Sequence, residues 1–287
     1  MFKKSFGKIA AVAVIFSSLV SGVFAMAKSP SQAEEKTPQR IISLAPSGTE
    51  ILFAVGAGEN VVAVDEYSNY PAEAIELPKI GGFDGKTISI EKILSFEPDF
   101  LYLSKGMHDF LIPTLQEYGI DYYVSEGTSV EGVMKEIVEI GAICGNDKAV
   151  SKALSNIENA ILLANEALEA KDDIPTVYYE VWTPPYMSIG GNTFISDVIA
   201  KAGGLNIFAD LNDWPTVSEE AIIAANPSVI LLQKSSGTTA ESVASRKGWE
   251  EIDAVKNNKV FVIDDDIFSR PSPRIGEAIT QLVELLK

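Results

Sequence analysis

The sequence predicts an α/β protein of two lobes with parallel-type sheets, bridged by one long helix. Three observations support this fold class. Short apolar runs alternate with helical patterns from Arg40 onwards, residues 146–173 contain neither Gly nor Pro, and residues 88–103 are partly repeated at residues 217–232. Strands separated by helices are typical of parallel sheets.

The first lobe is predicted to span residues 39–145. Apolar runs predict its strands at residues 40–45, 61–64, 100–103 and 122–124. Ser47 and Glu50 have the spacing of a capping box, which predicts that a short helix over residues 51–55 follows them. Val133, Ile137 and Ile140 recur at helical spacing, so a helix is expected from Ser129 to Ile143.

The connecting helix is predicted over residues 146–173, because this stretch is rich in Ala, Leu, Glu and Lys. The second lobe, residues 174–287, then repeats the alternation of the first. Its strands are expected at residues 176–181, 229–232 and 260–263, and its helices at residues 196–202 and 272–286.

The two halves are also related in sequence. At a constant offset of 129 residues, five positions match: Ser89/Ser218, Glu91/Glu220, Ile93/Ile222, Pro98/Pro227 and Leu103/Leu232. Any short helix–turn–strand unit produces some similarity of this kind. The connecting helix falls between the two copies, however, which favours two Rossmann-like lobes with a ligand cleft between them.

The N-terminal residues have the pattern of a secretory signal peptide. Three lysines are followed by an apolar run and then by small residues, which predicts a signal peptide over residues 1–27 with cleavage after Ala25 or Ala27. Residues 28–38 are polar and are expected to form a flexible leader. No Cys lies nearby, so a lipid-anchored start is not expected. We therefore predict a periplasmic protein; an uncleaved anchor is the alternative.

Composition excludes several classes of function. The formal net charge of −17 disfavours binding to nucleic acid, and Cys144 has no partner for a disulfide. His108 is the single histidine, so a His–His metal pair is impossible, and we expect it on a surface loop. Asp264, Asp265 and Asp266 form an acidic run directly after a predicted strand, for which a turn or a ligand-facing loop is favoured over a metal site. We expect neither catalytic nor metal-binding residues.

Aromatic residues follow or precede the predicted strands, beside Gly or Pro. Such residues belong on loops, and loops at the carboxyl ends of parallel strands point into a cleft. Each ring could instead fill the core. Their number favours a large, partly apolar ligand, and the candidates are Tyr67, Tyr70, Phe83, Trp182, Tyr186, Trp214 and Phe268.

Glu91 and Glu220 occupy equivalent places in the two repeats, near the starts of helices. Acidic residues there stabilise the helix dipole, which explains their presence without any function. The functional alternative is one exposed carboxylate on each lobe, able to meet basic residues of a symmetric partner.

Four motifs stand in order along the chain: YSNYP at residues 67–71, GFDG at 82–85, WPTVS at 214–218 and SPR at 272–274. On these motifs the chain from about Arg40 to Lys287 resembles the substrate-binding proteins of ABC importers for vitamin B12, ferric siderophores and haem. Within this superfamily the motifs are most similar to those of the vitamin B12 binders. Phe83 and Ser104 depart from the pattern, because the B12 binders have Trp at both positions.

The resemblance implies a monomeric carrier, not an enzyme, that captures a corrinoid such as cobalamin or cobinamide. It implies that Tyr67, Trp214, Asp266 and Arg270 line the cleft. It further implies that Glu91 and Glu220 dock onto the transmembrane permease dimer of an ABC importer. Carriers of haem or a ferric siderophore remain alternatives, with His108, Tyr67 or Tyr70 available as an axial ligand for haem. An exported α/β enzyme is the alternative from another class.

Overall fold

Two four-stranded sheets organise the chain in the computed structural model, which describes residues 37–169 and 173–287. The strands of the first sheet are β1 (Ile41–Ser43), β2 (Val61–Val64), β3 (Phe100–Ser104) and β4 (Asp121–Ser125). Five α-helices accompany them within residues 37–146: α1 (Pro46–Ala54), α2 (Ala72–Ile75), α3 (Ile90–Ser95), α4 (Ile112–Tyr118) and α5 (Val130–Cys144). We refer to residues 37–146 as the N lobe.

The second sheet lies beyond the connecting helix α6 (Asp147–Glu169). Its strands are β5 (Thr176–Glu180), β6 (Leu205–Asn206), β7 (Val229–Gln233) and β8 (Val260–Ile263). The accompanying helices are α7 (Phe194–Lys201), α8 (Glu219–Ala225), α9 (Ala240–Ala244), α10 (Asp253–Lys256), α11 (Asp265–Ser269) and α12 (Ile275–Leu285). We refer to residues 173–287 as the C lobe.

The two sheets have the same topology. The first has the order β2-β1-β3-β4 and the second the order β6-β5-β7-β8, and all ladders between these strands are parallel. Adding four to each number of the first order gives the second. The α/β fold with two parallel sheets and one long helix, predicted from the sequence, is therefore confirmed.

A shared core joins both sheets to the helices between them. Alternate strand residues point to opposite faces, so Phe100 and Tyr102 of β3 enter the shared core, whereas Leu101 and Leu103 pack on the outer side of the N lobe. The equivalent outer cluster of the C lobe surrounds the fully buried Trp249. Burial of apolar surface on both faces stabilises each sheet.

The connecting helix packs chiefly against α5 and α12. Val150, Ile157 and Ala164 lie on its buried face, with the spacing of an amphipathic helix. Gly276 allows α12 to approach closely, because a Cβ there would lie 2.9 Å from the carbonyl oxygen of Asn156. Within the described part of the chain, none of the helices combines the length and the hydropathy needed to cross a bilayer.

Several details differ from the sequence-based predictions. The capping box is wrong, because α1 already begins at Pro46 and no side chain caps it, so Ser47 lies inside the helix. The terminal helix begins at Ile275 rather than at Ser272, and the two-residue strand β6 was missed. The predicted signal peptide and residues 28–36 of the predicted leader lie outside the described residues.

Candidate functional site

The loop after β2 carries Tyr67 and Tyr70, and buried hydrogen bonds hold it. The carboxylate of Asp65, which is fully buried, accepts bonds from the backbone N–H of Tyr67 at 2.8 Å and from the Ser68 hydroxyl. Lys79 Nζ donates to the carbonyl of Ser68 at 3.0 Å. Burial raises the pKa of Asp65, although its hydrogen bonds oppose the shift. The loop therefore presents Tyr67 and Tyr70, which are 59% and 46% exposed, from a fixed base.

His108 holds the neighbouring loop that carries Phe83. Its Nδ1 accepts a hydrogen bond from the backbone N–H of Ser104 at 3.0 Å, so Nε2 carries the proton and donates to the carbonyl of Phe83, also at 3.0 Å. Burial lowers the pKa of His108 below its ordinary value, because the charged imidazolium would lose its hydration. The expectation of a surface loop residue is wrong, since His108 is fully buried.

Phe83 itself is half-buried, with its ring edge-on to the imidazole at a centroid distance of 5.7 Å. The adjacent Met107 and Phe110 are about half exposed beside this loop. Phe110 lies so close that a Cβ on Gly85 would meet its ring at 2.8 Å. Met107 and Phe110 were not predicted as ligand-binding residues, although the short stretch Gly106–Phe110 after β3 has the same loop pattern as the segments that were.

In the C lobe, two backbone segments bring Trp182 and Trp214 to adjoining loops. Met187 forms isolated antiparallel bridges with both Trp182 and Thr216. The backbone N–H of Ser188 also donates to the carbonyl of Pro215 at 3.0 Å. Trp182 is 51% exposed and Trp214 is 48% exposed, which is unusual for the largest apolar side chain. The C lobe therefore offers two accessible indole rings next to the carboxyl end of β5.

Tyr186 is turned into the lobe instead. Its ring is half-buried and packs on Trp249 at a centroid distance of 5.8 Å, and the Arg246 guanidinium lies 5.2 Å from the ring centroid. Arg246 also forms a buried ion pair with Glu180 at 2.6 Å. The hydroxyl of Tyr186 donates to Glu219 at 3.0 Å. These contacts give Tyr186 a structural part in the C lobe.

Asp266, Phe268 and Arg270 come from α11 and the residue that follows it. Asp266 and Arg270 form an ion pair of 2.7 Å at the inter-lobe surface. Phe268 is only 1% exposed and belongs to the shared core, so the expectation that it lies on a cleft loop is wrong. The sequence directly after β8 contains two prolines and no helical pattern, so it did not predict that the short helix α11 would bury the ring of Phe268.

The contacts of Arg270 connect the two lobes. Its guanidinium donates to the Asn69 side chain at 2.7 Å, to the Tyr67 carbonyl at 3.2 Å and to Glu50 at 3.1 Å. Asn69 in turn donates to Asp266 at 2.9 Å. The loop of Tyr67 therefore rests against α11, and this brings Tyr67, Asp266 and Arg270 together. Glu50 and Asn69 were missed, because their partners lie about 200 residues away in the chain.

A cavity of about 910 Å³ lies between α1, α6 and α12, at the side of the inter-lobe surface. It contacts Tyr70 but none of the other predicted ligand-binding residues. Its polar wall includes Glu50, Lys152, Asn156, Arg274 and Gln281. The other accessible rings, Tyr67, Trp182 and Trp214, therefore lie outside this cavity, on the loops at the carboxyl ends of the strands.

Glu91 and Glu220 lie in the first turns of α3 and α8, and both are exposed. Ser89 and Ser218 cap these helices by accepting hydrogen bonds from the backbone N–H groups of Lys92 and Ala221. The hydroxyl of Ser89 also donates to Glu91 at 2.6 Å, which lowers the pKa of that carboxyl.

The two helices have equivalent places in the two sheets. Helix α3 leads into β3, and α8 leads into β7, which is the equivalent strand. A helix that returns the chain to the start of a parallel strand begins near the carboxyl edge of the sheet. Glu91 and Glu220 are therefore placed at the same edge as the aromatic loops, one on each lobe.

The family described as periplasmic binding protein matches residues 41–267, which is most of the chain. The chain belongs to this family. It is 31% identical over 257 residues to an uncharacterised ABC transporter substrate-binding lipoprotein of Bacillus subtilis, YvrC, covering 87% of this chain and 80% of that one.

Two solved structures support the same membership. The periplasmic vitamin B12 binding protein BtuF of Vibrio cholerae has a TM-score of 0.75 at 30% identity, covering 87% of this binding protein and 97% of BtuF. The periplasmic heme-binding protein RhuT of Roseiflexus has a TM-score of 0.74 at 26% identity, with coverages of 86% and 97%. These relatives are binding proteins and indicate no catalytic activity. Among residues 37–169 and 173–287, no group of three His, Cys, Asp or Glu side chains is arranged to hold a metal ion.

Proposed function

We propose that this binding protein captures a corrinoid between its lobes and delivers it to an ABC importer. The observation that carries the proposal is the set of accessible aromatic rings on loops at the carboxyl ends of both sheets: Tyr67, Tyr70, Trp182 and Trp214. Exposed rings of this size on rigidly held loops are suited to a large, partly apolar ligand. The similarity to a vitamin B12 binding protein supports the same ligand class.

Electrostatics favours a neutral or cationic ligand. Arg270 is already paired with Glu50 and Asp266, and the exposed Lys105 pairs with Glu126 at 2.5 Å. An anionic ligand would have to compete with these carboxylates for the positive charge. The amide side chains of a corrinoid need only hydrogen bonds, for which Asn69 and Asp266 provide acceptor and donor atoms near Tyr67.

Haem is the second candidate, because a heme-binding protein has a similar structure and a tyrosine is available. His108 is excluded as the axial ligand in this arrangement, since it is buried and both ring nitrogens are engaged. Tyr70 lies under Arg274, whose guanidinium is 4.3 Å from the centroid of the ring. Tyr67 is more exposed than Tyr70 and is therefore the better candidate for the axial ligand of haem. A ferric siderophore is a third candidate for the same cleft.

Delivery requires a partner, and Glu91 and Glu220 are proposed to provide the contact. One exposed carboxylate on each lobe, at equivalent positions, is suited to a permease built from two like subunits. We further propose that residues 1–27 direct export, that residues 28–38 form a leader, and that the mature protein acts as a periplasmic monomer.

An absorbance measurement tests the ligand class. The purified protein is mixed with cyanocobalamin, desalted, and its spectrum recorded, with haemin and a ferric hydroxamate siderophore in parallel samples. A corrin band that elutes with the protein at one equivalent supports the proposal. Retention of haemin or of the siderophore alone would reassign the ligand to iron. Retention of none of the three would contradict this function.

A further inference from the structure

A buried carboxylate of the N lobe receives its hydrogen bonds from the C lobe. Glu50 is in α1 and is 3% exposed. It accepts from the Ser272 hydroxyl at 2.6 Å, from Arg270 at 3.1 Å, and from Arg274 at 2.8 and 2.5 Å. We call Glu50, Arg270, Ser272 and Arg274 the inter-lobe clasp. We propose that Glu50 is a positioning residue, which fixes the angle between the lobes and thereby the shape of the cleft.

Burial makes the geometry of the clasp demanding. The side chain of Glu50 is 1% exposed, and those of Arg270 and Arg274 are 12% and 14% exposed. Charges removed from water are costly unless well-placed partners compensate them, so a small change of lobe angle would leave charges both unpaired and poorly hydrated. The planar guanidinium of Arg274 also restricts the relative orientation of the two side chains, because two of its nitrogens donate to the same carboxylate. Such a cluster favours one lobe orientation even where it adds little net stability.

The clasp also reaches the proposed ligand site. Arg270 shares its guanidinium between Glu50, the Asn69 side chain and the Tyr67 carbonyl. Arg274, held by Glu50, lies over the ring of Tyr70. Glu50 therefore positions two arginines of the C lobe, Arg270 and Arg274, which in turn contact Tyr67 and Tyr70 of the N-lobe loop.

A second contact between the lobes provides a matched control. The backbone N–H of Val130, at the start of α5, donates to Asp197 of α7 at 2.8 Å. Next to it, Glu131 pairs with Lys201. Like Glu50, Glu131 pairs with a basic side chain of the other lobe. Its side chain is 64% exposed, however, so water can hydrate Lys201 when the charge of Glu131 is removed.

The test measures the distance between the lobes without ligand. Spin labels are attached by cysteines introduced at Glu117 in α4 and Glu241 in α9, both exposed, in a Cys144→Ala background. Pulsed electron–electron double resonance gives the distance distribution for the unsubstituted clasp, for Glu50→Gln and for Glu131→Gln. Glutamine keeps the size of the side chain but removes its charge. We expect a broader or shifted distribution for Glu50→Gln alone.

The effect on ligand rests on the proposed function and is measured separately. If Glu50→Gln reduces the competent lobe arrangement to about a tenth of the molecules, cyanocobalamin affinity falls about tenfold. An unchanged distance distribution in folded Glu50→Gln would overturn the inference, whatever the ligand. If Glu50→Gln does not fold, Arg274→Gln is measured instead, because Glu50 then still has Arg270 as a partner. A broader or shifted distance distribution in Arg274→Gln supports the inference, and an unchanged distribution overturns it. A broadened distribution without any cyanocobalamin binding in the parent protein would contradict only the ligand.

Discussion

The Tyr186 hydroxyl and the Glu219 carboxylate meet at a hydrogen bond of 3.0 Å, which joins the loop after β5 to the first residue of α8. The same oxygen of Glu219 accepts from the indole N–H of Trp249 at 2.7 Å. A buried indole and a phenol thus hold the first turn of the helix that carries Glu220. This hydrogen bond therefore connects a loop next to the cleft to α8, the C-lobe helix that is proposed to dock on the permease.

Tyr186→Phe is expected to lower the free energy of unfolding by about 1 kcal/mol, because it removes a single hydrogen bond and keeps the ring. The contact of the ring with Trp249 would persist. Urea denaturation followed by circular dichroism measures the change. Tyr118→Phe is the control, since its side chain is 59% exposed at the end of α4. Equal losses in the two variants would mean that the bond to Glu219 adds no stability.

Local patterns were sufficient to predict most of the fold. Strands β2 and β8 have the predicted bounds, because each is a short apolar run between turn residues. The helix predicted from Ser129 to Ile143 spans Val130–Cys144, and it ends there because the next residue, Gly145, adopts the left-handed conformation with φ 71°. The repeat at residues 88–103 and 217–232 indicated two like lobes, and the two sheets do have the same strand order.

Contacts between distant residues could not be predicted in this way. Glu50 looked like a capping residue because only its neighbours were visible, whereas its partner Arg270 lies 220 residues away. Loop composition was an equally poor guide to burial. His108, Phe268 and Tyr67 all lie in short segments that contain Gly or Pro, yet the first two are buried and Tyr67 is exposed. Burial depends on what packs above a residue, and a sequence pattern does not contain that information.

The single histidine predicts an acid sensitivity of the Phe83 loop. Since burial lowers the pKa of His108, the folded state favours the neutral ring. Its contribution to stability is therefore complete above the unfolded-state pKa of about 6.5 and is lost as the pH falls through the lower pKa of the folded state. Protonation would also place an N–H against the Ser104 N–H.

Proton NMR measures the pKa of His108 directly, because the imidazole resonances of a chain with a single histidine need no further assignment. We expect a titration midpoint below about 6.5. Urea denaturation at pH 7 and pH 5 of the parent protein and of His108→Gln should show the larger loss on acidification in the parent. A midpoint at or above the ordinary value would contradict the neutral, buried imidazole.

Trp214→Ala is expected to weaken corrinoid binding by about 1–3 kcal/mol, as for other aromatic anchors at binding sites. The indole is about half exposed on the loop that adjoins Trp182, so its loss removes contact area without opening the core. Isothermal titration calorimetry with cyanocobalamin measures the change. Tyr118→Ala removes a similarly exposed ring from the far end of α4, and its affinity should equal that of the parent. Unchanged affinity in Trp214→Ala would remove this residue from the site.

Glu91→Ala combined with Glu220→Ala is expected to leave ligand affinity intact and to abolish transport. Both carboxylates are exposed in the first turns of equivalent helices, so their removal disturbs no buried contact. Loss of a carboxylate from a desolvated ion pair at an interface costs about 2 kcal/mol or more. Two such losses would weaken docking on the permease by a factor of about a thousand.

A matched pair of substitutions separates docking from net charge. Glu158→Ala with Glu166→Ala removes the same charge from the exposed face of α6, away from the proposed docking edge. Cellular uptake of labelled cyanocobalamin is measured for both double variants, and calorimetry confirms that each still binds ligand. Uptake should be lost only without Glu91 and Glu220, and each single variant should retain part of it because one lobe can still engage. Normal uptake in the Glu91/Glu220 double variant would show that the permease recognises another surface.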